Sequence, residues 1–210
     1  KNPIETLNHF RYNQNKPMLC LSDIVDQIGY LFHWGVGIRP EEYNPAWDGF
    51  RTRYQTVNSR HNIILGLKEF QKRSAKNLDA VIFIFNSNLW DATRYLPTQS
   101  TKNFYDEYAM DYSTIVVEIL RELRPQDILV LQTMHFPRKE WLYRQHSLEL
   151  NSIIRKAAMY FNLPMLDVCE HIQDDEKHLK PNDPRHQTAE TSLLIAKQIE
   201  IRNWTSPYKC

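Results

Sequence analysis

Two short polar clusters hold residues whose types and spacing suit acyl-transfer chemistry. Asp183-Pro184-Arg185-His186 sets a carboxylate a few positions before an imidazole. A loop imidazole can act as general base, while a nearby carboxylate fixes its tautomer and stabilises the imidazolium. The other cluster, Asn86-Ser87-Asn88-Leu89-Trp90-Asp91, follows directly on the apolar run Ala80–Phe85. An Asn amide there can aim an N–H at a developing oxyanion, a contact worth about 3–4 kcal/mol in acyl transfer. Both clusters also have plainer readings. The first can be a turn into a helix capped by Thr188, with a surface His, and the second can be amides that brace a turn.

Further candidates surround these two. His135 lies just beyond the run Ile128–Leu131, which places it at the carboxyl end of an expected strand and makes it a candidate substrate contact. His33, His61, His146, His171 and His178 are scattered, without a spacing such as H-E-x-x-H, and read as structural or surface residues. Trp34, with Tyr43, Trp47 and Tyr54, offers flat aromatic faces that suit either a sugar-binding cleft or ordinary core. Trp90 reads as a packing anchor, with a substrate contact as its alternative. No residue set suggests a metal, and no cofactor is implied.

Positioning these groups requires a sheet whose strands end at one rim. Ala80–Phe85 and Ile128–Leu131 are uninterrupted apolar runs, and strands apolar on both faces belong in a parallel sheet covered by helices. Between and around them the apolar residues fall at helical spacing. They do so over Asn62–Arg73 (Ile63, Ile64, Leu67, Phe70), Asn103–Leu123, Leu148–Phe161 and Ala189–Ile201, the last with Leu193, Leu194, Ala196 and Ile199 toward the core. Met18–Leu21, Gly29–Val36 and Met165–Val168 have strand character. Arg39–Arg60, with Pro40 and Pro45, reads as an irregular loop, and Lys1–Pro17 as a polar surface arm. Alternating strands and helices predict an α/β fold. Its form is a three-layer α/β/α sandwich around a mostly parallel sheet, flavodoxin-like in outline, with residues 1–210 as one domain.

Composition narrows the classes. Of 210 residues, 42% are hydrophobic, enough for one sizeable core, and the formal net charge is +1. Near-balanced charge leaves no electrostatic footprint for nucleic acid. No apolar run nears the ~20 residues that span a bilayer, and the polar start lacks the apolar core of a signal peptide. Cys20, Cys169 and Cys210 are too few for a disulfide framework. Asn203-Trp204-Thr205 is a glycosylation sequon that matters only in a secretory compartment, so the sequence leaves localisation open.

Taken in order, the motifs resemble the SGNH/GDSL hydrolase superfamily. The run from a strand ending in Asn-Ser-x-Leu-Trp-Asp to an Asp-x-x-His before the final helix carries the resemblance. "IFNSNLWDATRY" and "YLFHWGVGI" are most similar to the PC-esterase branch, and the similarity spans about Gly29 to the C-terminus. The resemblance implies a serine hydrolase or O-acyltransferase acting on acyl esters, often on carbohydrate, with an acyl-ester or glycan substrate. It implies His186 as base, Asp183 as its orienting carboxylate, and Asn88 or Asn86 as oxyanion donor. One departure stands out: the family's Gly-Asp-Ser is absent from these residues. If Met18–Leu21 is the first strand, Ile24 stands where the serine belongs, with Ser22 as a shifted nucleophile. If the first strand lies upstream of Lys1, the serine lies there too. The remaining alternative is an SGNH-fold pseudoenzyme that binds protein partners.

Overall fold

The computed structural model describes residues 19–21, 29–31, 63–64, 67–68, 70–72, 80–88, 91–92, 101–139, 142–172, 176–179 and 187–201. Its centre is a parallel three-stranded sheet of β3 (Ile82–Phe85), β4 (Ile128–Gln132) and β5 (Met165–Leu166), in that order. Two further short strands, β1 (Leu19–Leu21) and β2 (Gly29–Leu31), pair antiparallel with each other as a separate ribbon. Parallel pairing runs from Ile82 opposite Ile128 to Phe85 opposite Leu131, and Leu131 in turn faces Met165.

Strand alternation sorts the side chains onto two faces. Phe83, Phe85, Leu129 and Leu131 face a large core with α1 (Thr101–Glu122) and α2 (Arg144–Tyr160). From α1 that core takes Tyr108, Tyr112, Ile115, Val116 and Ile119; from α2 it takes Leu150, Ile154, Ala157 and Ala158. Helical residues Ile63 and Leu67 join it, fully buried, as their spacing predicts. Ile128, Val130 and Leu166 point the other way, against Val168 and Ile172 of α3 (Val168–Ile172) and Ile195 of α4 (Ala189–Ile201). Helices therefore cover both faces, and the described residues form the expected α/β/α layers. Each fully buried Leu or Ile contributes roughly 1.5–3 kcal/mol of burial.

Three sequence expectations need correction. Helix α2 begins at Arg144 rather than Leu148, because its first turn is polar and shows no apolar face, although Ser147 in that turn is buried. The strand expected over Met165–Val168 ends at Leu166. The carboxylate of Asp167 accepts the Glu170 amide at 3.1 Å and starts α3 at Val168, as a helix N-cap does. In α4, Leu193 and Leu194 are 63% and 51% exposed, while Thr191 and Ile195 face inward.

The exit from α2 is also locally encoded. Asn162 takes a left-handed conformation (φ 51°), and its amide donates to the Met159 carbonyl at 3.2 Å. The next amide, of Leu163, donates to the Ala158 carbonyl at 2.9 Å. That is a Schellman cap with Asn at the left-handed position, closed by Pro164. Before the neighbouring strands, Asp127 accepts the Val81 amide at 2.9 Å and pairs with Arg124, tying the starts of β3 and β4 together. Burial works to raise the Asp127 carboxyl, but the Arg124 guanidinium and two backbone amides hold it below its usual range.

Candidate active site at the strand ends

Parallel strands place their carboxyl ends at one rim, where open α/β sheets gather ligands. Beyond β3 comes Asn86-Ser87-Asn88, and beyond β4 comes Thr133-Met134-His135. The two asparagines behave differently. Asn88 is 2% exposed, and its Nδ2 donates to the Ser147 carbonyl and to Asn151 Oδ1, both at 2.8 Å. Its Oδ1 accepts the Ser147 hydroxyl at 2.8 Å. Both amide hydrogens of Asn88 are thus engaged in a brace to α2. Asn86 is only half-buried, and its Nδ2 reaches across to the Thr133 carbonyl at 3.4 Å, at the long end for such a bond.

Ser87 and Asp91 underpin this turn. The Ser87 hydroxyl donates to Asp91 Oδ2 at 2.5 Å, the Ser87 carbonyl accepts the Tyr108 hydroxyl, and the Asn88 carbonyl accepts the Ala92 amide at 2.7 Å. Burial, then the Asp91 charge, pushes the Tyr108 phenol well above its ordinary value, so it stays a donor. With Ser87 3% exposed and bonded to a carboxylate, this serine is part of the scaffold.

The β4 end is held from α2 as well. Asn151 Oδ1 accepts the Met134 amide at 2.9 Å, and its Nδ2 donates to the Met134 carbonyl at 2.8 Å. His135 follows at once and is 8% exposed. One turn further along α2, Arg155 Nε donates to Asp167 Oδ2 at 2.6 Å, and Thr133 donates to Asp167 Oδ1 at 2.8 Å. Burial acts to raise Asp167; Arg155, Thr133 and the Glu170 amide outweigh it and hold the carboxyl low. Burial raises the Cys169 thiol, which keeps it protonated and unreactive. Near the start of α2, the Tyr105 hydroxyl and His146 Nδ1 share a 2.6 Å hydrogen bond, and burial lowers the imidazole's pKa.

Asp183 and His186 lie outside the described residues, as do Trp34, Trp90 and Ser22. The flanks of the segment that carries Asp183 and His186 are described. Leu179 and Gln187 form an antiparallel bridge, and the Thr188 amide donates to the His178 carbonyl at 2.9 Å. Thr188 Oγ1 accepts the Thr191 amide at 3.2 Å, the N-cap that its position predicts. Thr191, 1% exposed, lies 3.1 Å from His178 Nδ1 through its hydroxyl. Both stems of the Asp-x-x-His segment are therefore joined at the foot of α4.

Comparison with known proteins adds the following. No protein-family model matches the chain, and no curated protein matches it. Solved structures with a similar arrangement include esterases and a lipase. A GDSL-like lipase from Bacteroides thetaiotaomicron shares 15% identity over 68% of this chain and 69% of its own, with a TM-score of 0.48. An acetylxylan esterase from Geobacillus stearothermophilus shares 15% identity over 72% of this chain and 85% of its own, with a TM-score of 0.44. An α/β hydrolase from the metagenome of Lake Arreo, Spain, shares 16% identity over 68% and 66%, with a TM-score of 0.45. For a variant of the Geobacillus enzyme the chain spans 65% of that chain's length.

Sequence reasoning missed Ser147, Asn151 and Arg155. They recur at i, i+4 and i+8 on α2, and each grips the end of a different strand or the turn after it. Their four-residue spacing by itself gives no signal, since a solvated helix face has the same pattern. Among the described residues no group of three His, Cys, Asp or Glu side chains is placed to hold a metal. No described helix is long and apolar enough to cross a membrane.

Proposed function

We propose that the chain is an SGNH-type hydrolase of acyl esters, with O-acyl groups on carbohydrate as the substrate class. The observation that supports this most is Asn86, which stands half-buried at the carboxyl end of β3 with its amide directed along the rim toward β4. Because Asn88 is committed to α2, Asn86 takes the oxyanion role, His186 takes the proton of the attacking hydroxyl, and Asp183 orients His186. A serine hydroxyl oxygen bonds to the acyl carbon, the carbonyl electrons move onto the oxygen held by Asn86 and return as the bond to the alcohol oxygen breaks, and His186 gives that leaving oxygen its proton, so that an acyl-serine remains. Water then releases the acid by the same route. His135 and the aromatic residues Trp34 and Trp90 are assigned to the substrate side.

Hydrolysis of p-nitrophenyl acetate by the intact native protein tests this. His186→Ala is expected to abolish it, and Asn86→Ala to lower kcat by about 10²–10³-fold. An unchanged rate in His186→Ala removes the reading. The second reading, a binding scaffold without catalysis, is favoured by the absence of Gly-Asp-Ser from the 210 residues. A fluorophosphonate probe separates the two, since a labelled serine supports the hydrolase and silence supports the scaffold.

A further inference from the structure

Asn151 is fully buried in the second turn of α2, yet it is polar and has no contact with solvent. An Asn at such a site lowers helix propensity and is retained only if its hydrogen bonds are made. Here they are made to two different loops. Its Nδ2 and Oδ1 pair with the carbonyl and amide of Met134 as a bidentate cross-link, and the same Oδ1 also accepts Asn88 Nδ2. Ser147 closes the ring by bonding both ends of the Asn88 amide. One side chain therefore joins the turn after β3 to the turn after β4, two residues from Asn86 and one from His135.

We propose that Asn151 is a positioning residue that fixes the spacing between the Asn86 amide and His135 at the rim. The inference rests on the hydrolase reading of Asn86 and deepens it. An oxyanion donor is effective only when preorganised, and a small displacement of such a group costs large factors in rate. The Asn86 amide is one residue from Ser87 and two from Asn88. With Asn88 held to Asn151 and Ser87 held to Asp91 and Tyr108, little backbone freedom remains at that position. On the β4 side, the Met134 amide and carbonyl are both taken by Asn151, and Cys169 N–H and Asp167 hold Thr133 Oγ1 one residue before.

The test compares the native protein with Asn151→Ala, Asn86→Ala and their double mutant. It reads p-nitrophenyl acetate hydrolysis together with hydrogen exchange at the Met134 amide. Asn151→Ala is expected to speed that exchange about tenfold, the effect of losing about one hydrogen bond. It is also expected to lower kcat about tenfold or more with KM changed by less than about threefold, as an interaction made in the transition state requires. In the Asn86→Ala background the kcat loss from Asn151→Ala should shrink toward none, because no donor remains to be aimed. A loss of equal size in both backgrounds shows a general structural role and overturns the proposal, as does unchanged Met134 exchange. If Asn151→Ala does not fold, Asn88→Ala removes one arm of the same link and is read by the same non-additivity with Asn86→Ala. A native protein without hydrolase activity refutes the proposed function, while faster Met134 exchange in Asn151→Ala still supports the cross-link.

Discussion

Along the inward polar ridge of α2, the first half and the last half hold the strand ends by different chemistry. Ser147 and Asn151 use neutral amide and hydroxyl bonds, wholly out of water, to hold the turns after β3 and β4. Arg155 uses a charge pair to hold Asp167 at the end of β5, with the guanidinium side 36% exposed and the carboxylate side 8% exposed. Neutral partners in a dry site lose heavily when one is removed, because the orphaned groups cannot reach water. An ion pair with one partner partly exposed is screened, and solvent replaces part of what it loses. The neutral half holds the turn that carries the candidate oxyanion donor, where pH-independent rigidity matters most. The ionic half holds the carboxylate that starts α3.

That contrast yields an ordered set of expectations. Asn151→Leu should destabilise most, by about 3–4 kcal/mol in urea unfolding, since it strands the Met134 amide and carbonyl and one Asn88 donor at typical costs of about 1–3 kcal/mol each. A loss below about 1 kcal/mol would erase the distinction between the two halves. Asp167→Asn should cost about 2 kcal/mol at neutral pH, because it weakens bonds from Arg155, Thr133 and the Glu170 amide together. Its pH dependence has a definite sign. A carboxyl held low in the fold stabilises at pH above its unfolded value near 3.8, and that contribution disappears as pH falls through the lower folded value. Unfolding free energy followed from pH 6 to pH 2.5 should therefore drop less steeply in Asp167→Asn than in the parent.

Arg155→Lys keeps the charge and loses the two-point fork, so about 1 kcal/mol is expected after allowance for its exposure. An equal loss from Arg155→Lys and Asn151→Leu would contradict the screening account. The smallest effect belongs to His146, which lies between the ridge and Tyr105. Its imidazole is lowered by burial, so stability is complete above its ordinary pKa near 6.5 and declines as pH falls below that value. His146→Gln should remove this slope between pH 7 and pH 5, readable as a change of a few degrees or less in Tm across that range.

Much of the scaffold was legible because its signals are local. The runs Ala80–Phe85 and Ile128–Leu131 are apolar on both faces, and only a covered parallel sheet satisfies that. Ile63, Leu67, Tyr108, Tyr112 and Ile115 recur at helical spacing and are buried where that spacing puts them. Thr188 caps α4 as its hydroxyl and position suggest. The inward polar ridge was not legible, because Ser147, Asn151 and Arg155 at four-residue intervals look the same as a solvated helix face. Nor was the outward turn of Leu193 and Leu194, since periodicity reports a stripe and not which neighbour it meets. The pairing of Asn86 with Asn88 in the candidate site shows the same limit: two identical side chains, two residues apart, with their roles separated only by what α2 brings beside one of them.

Residue order alone determined the α/β class and the placement of Asn86-Ser87-Asn88 and His135 at strand ends, because each follows from short-range pattern. Tertiary structure decided that Asn88 is a brace, that Asn151 links two loops, and that α4 turns Thr191 and Ile195 inward. Those outcomes depend on partners dozens of residues away, and a hydrogen bond is specified by where its acceptor lies in space, which no local spacing encodes.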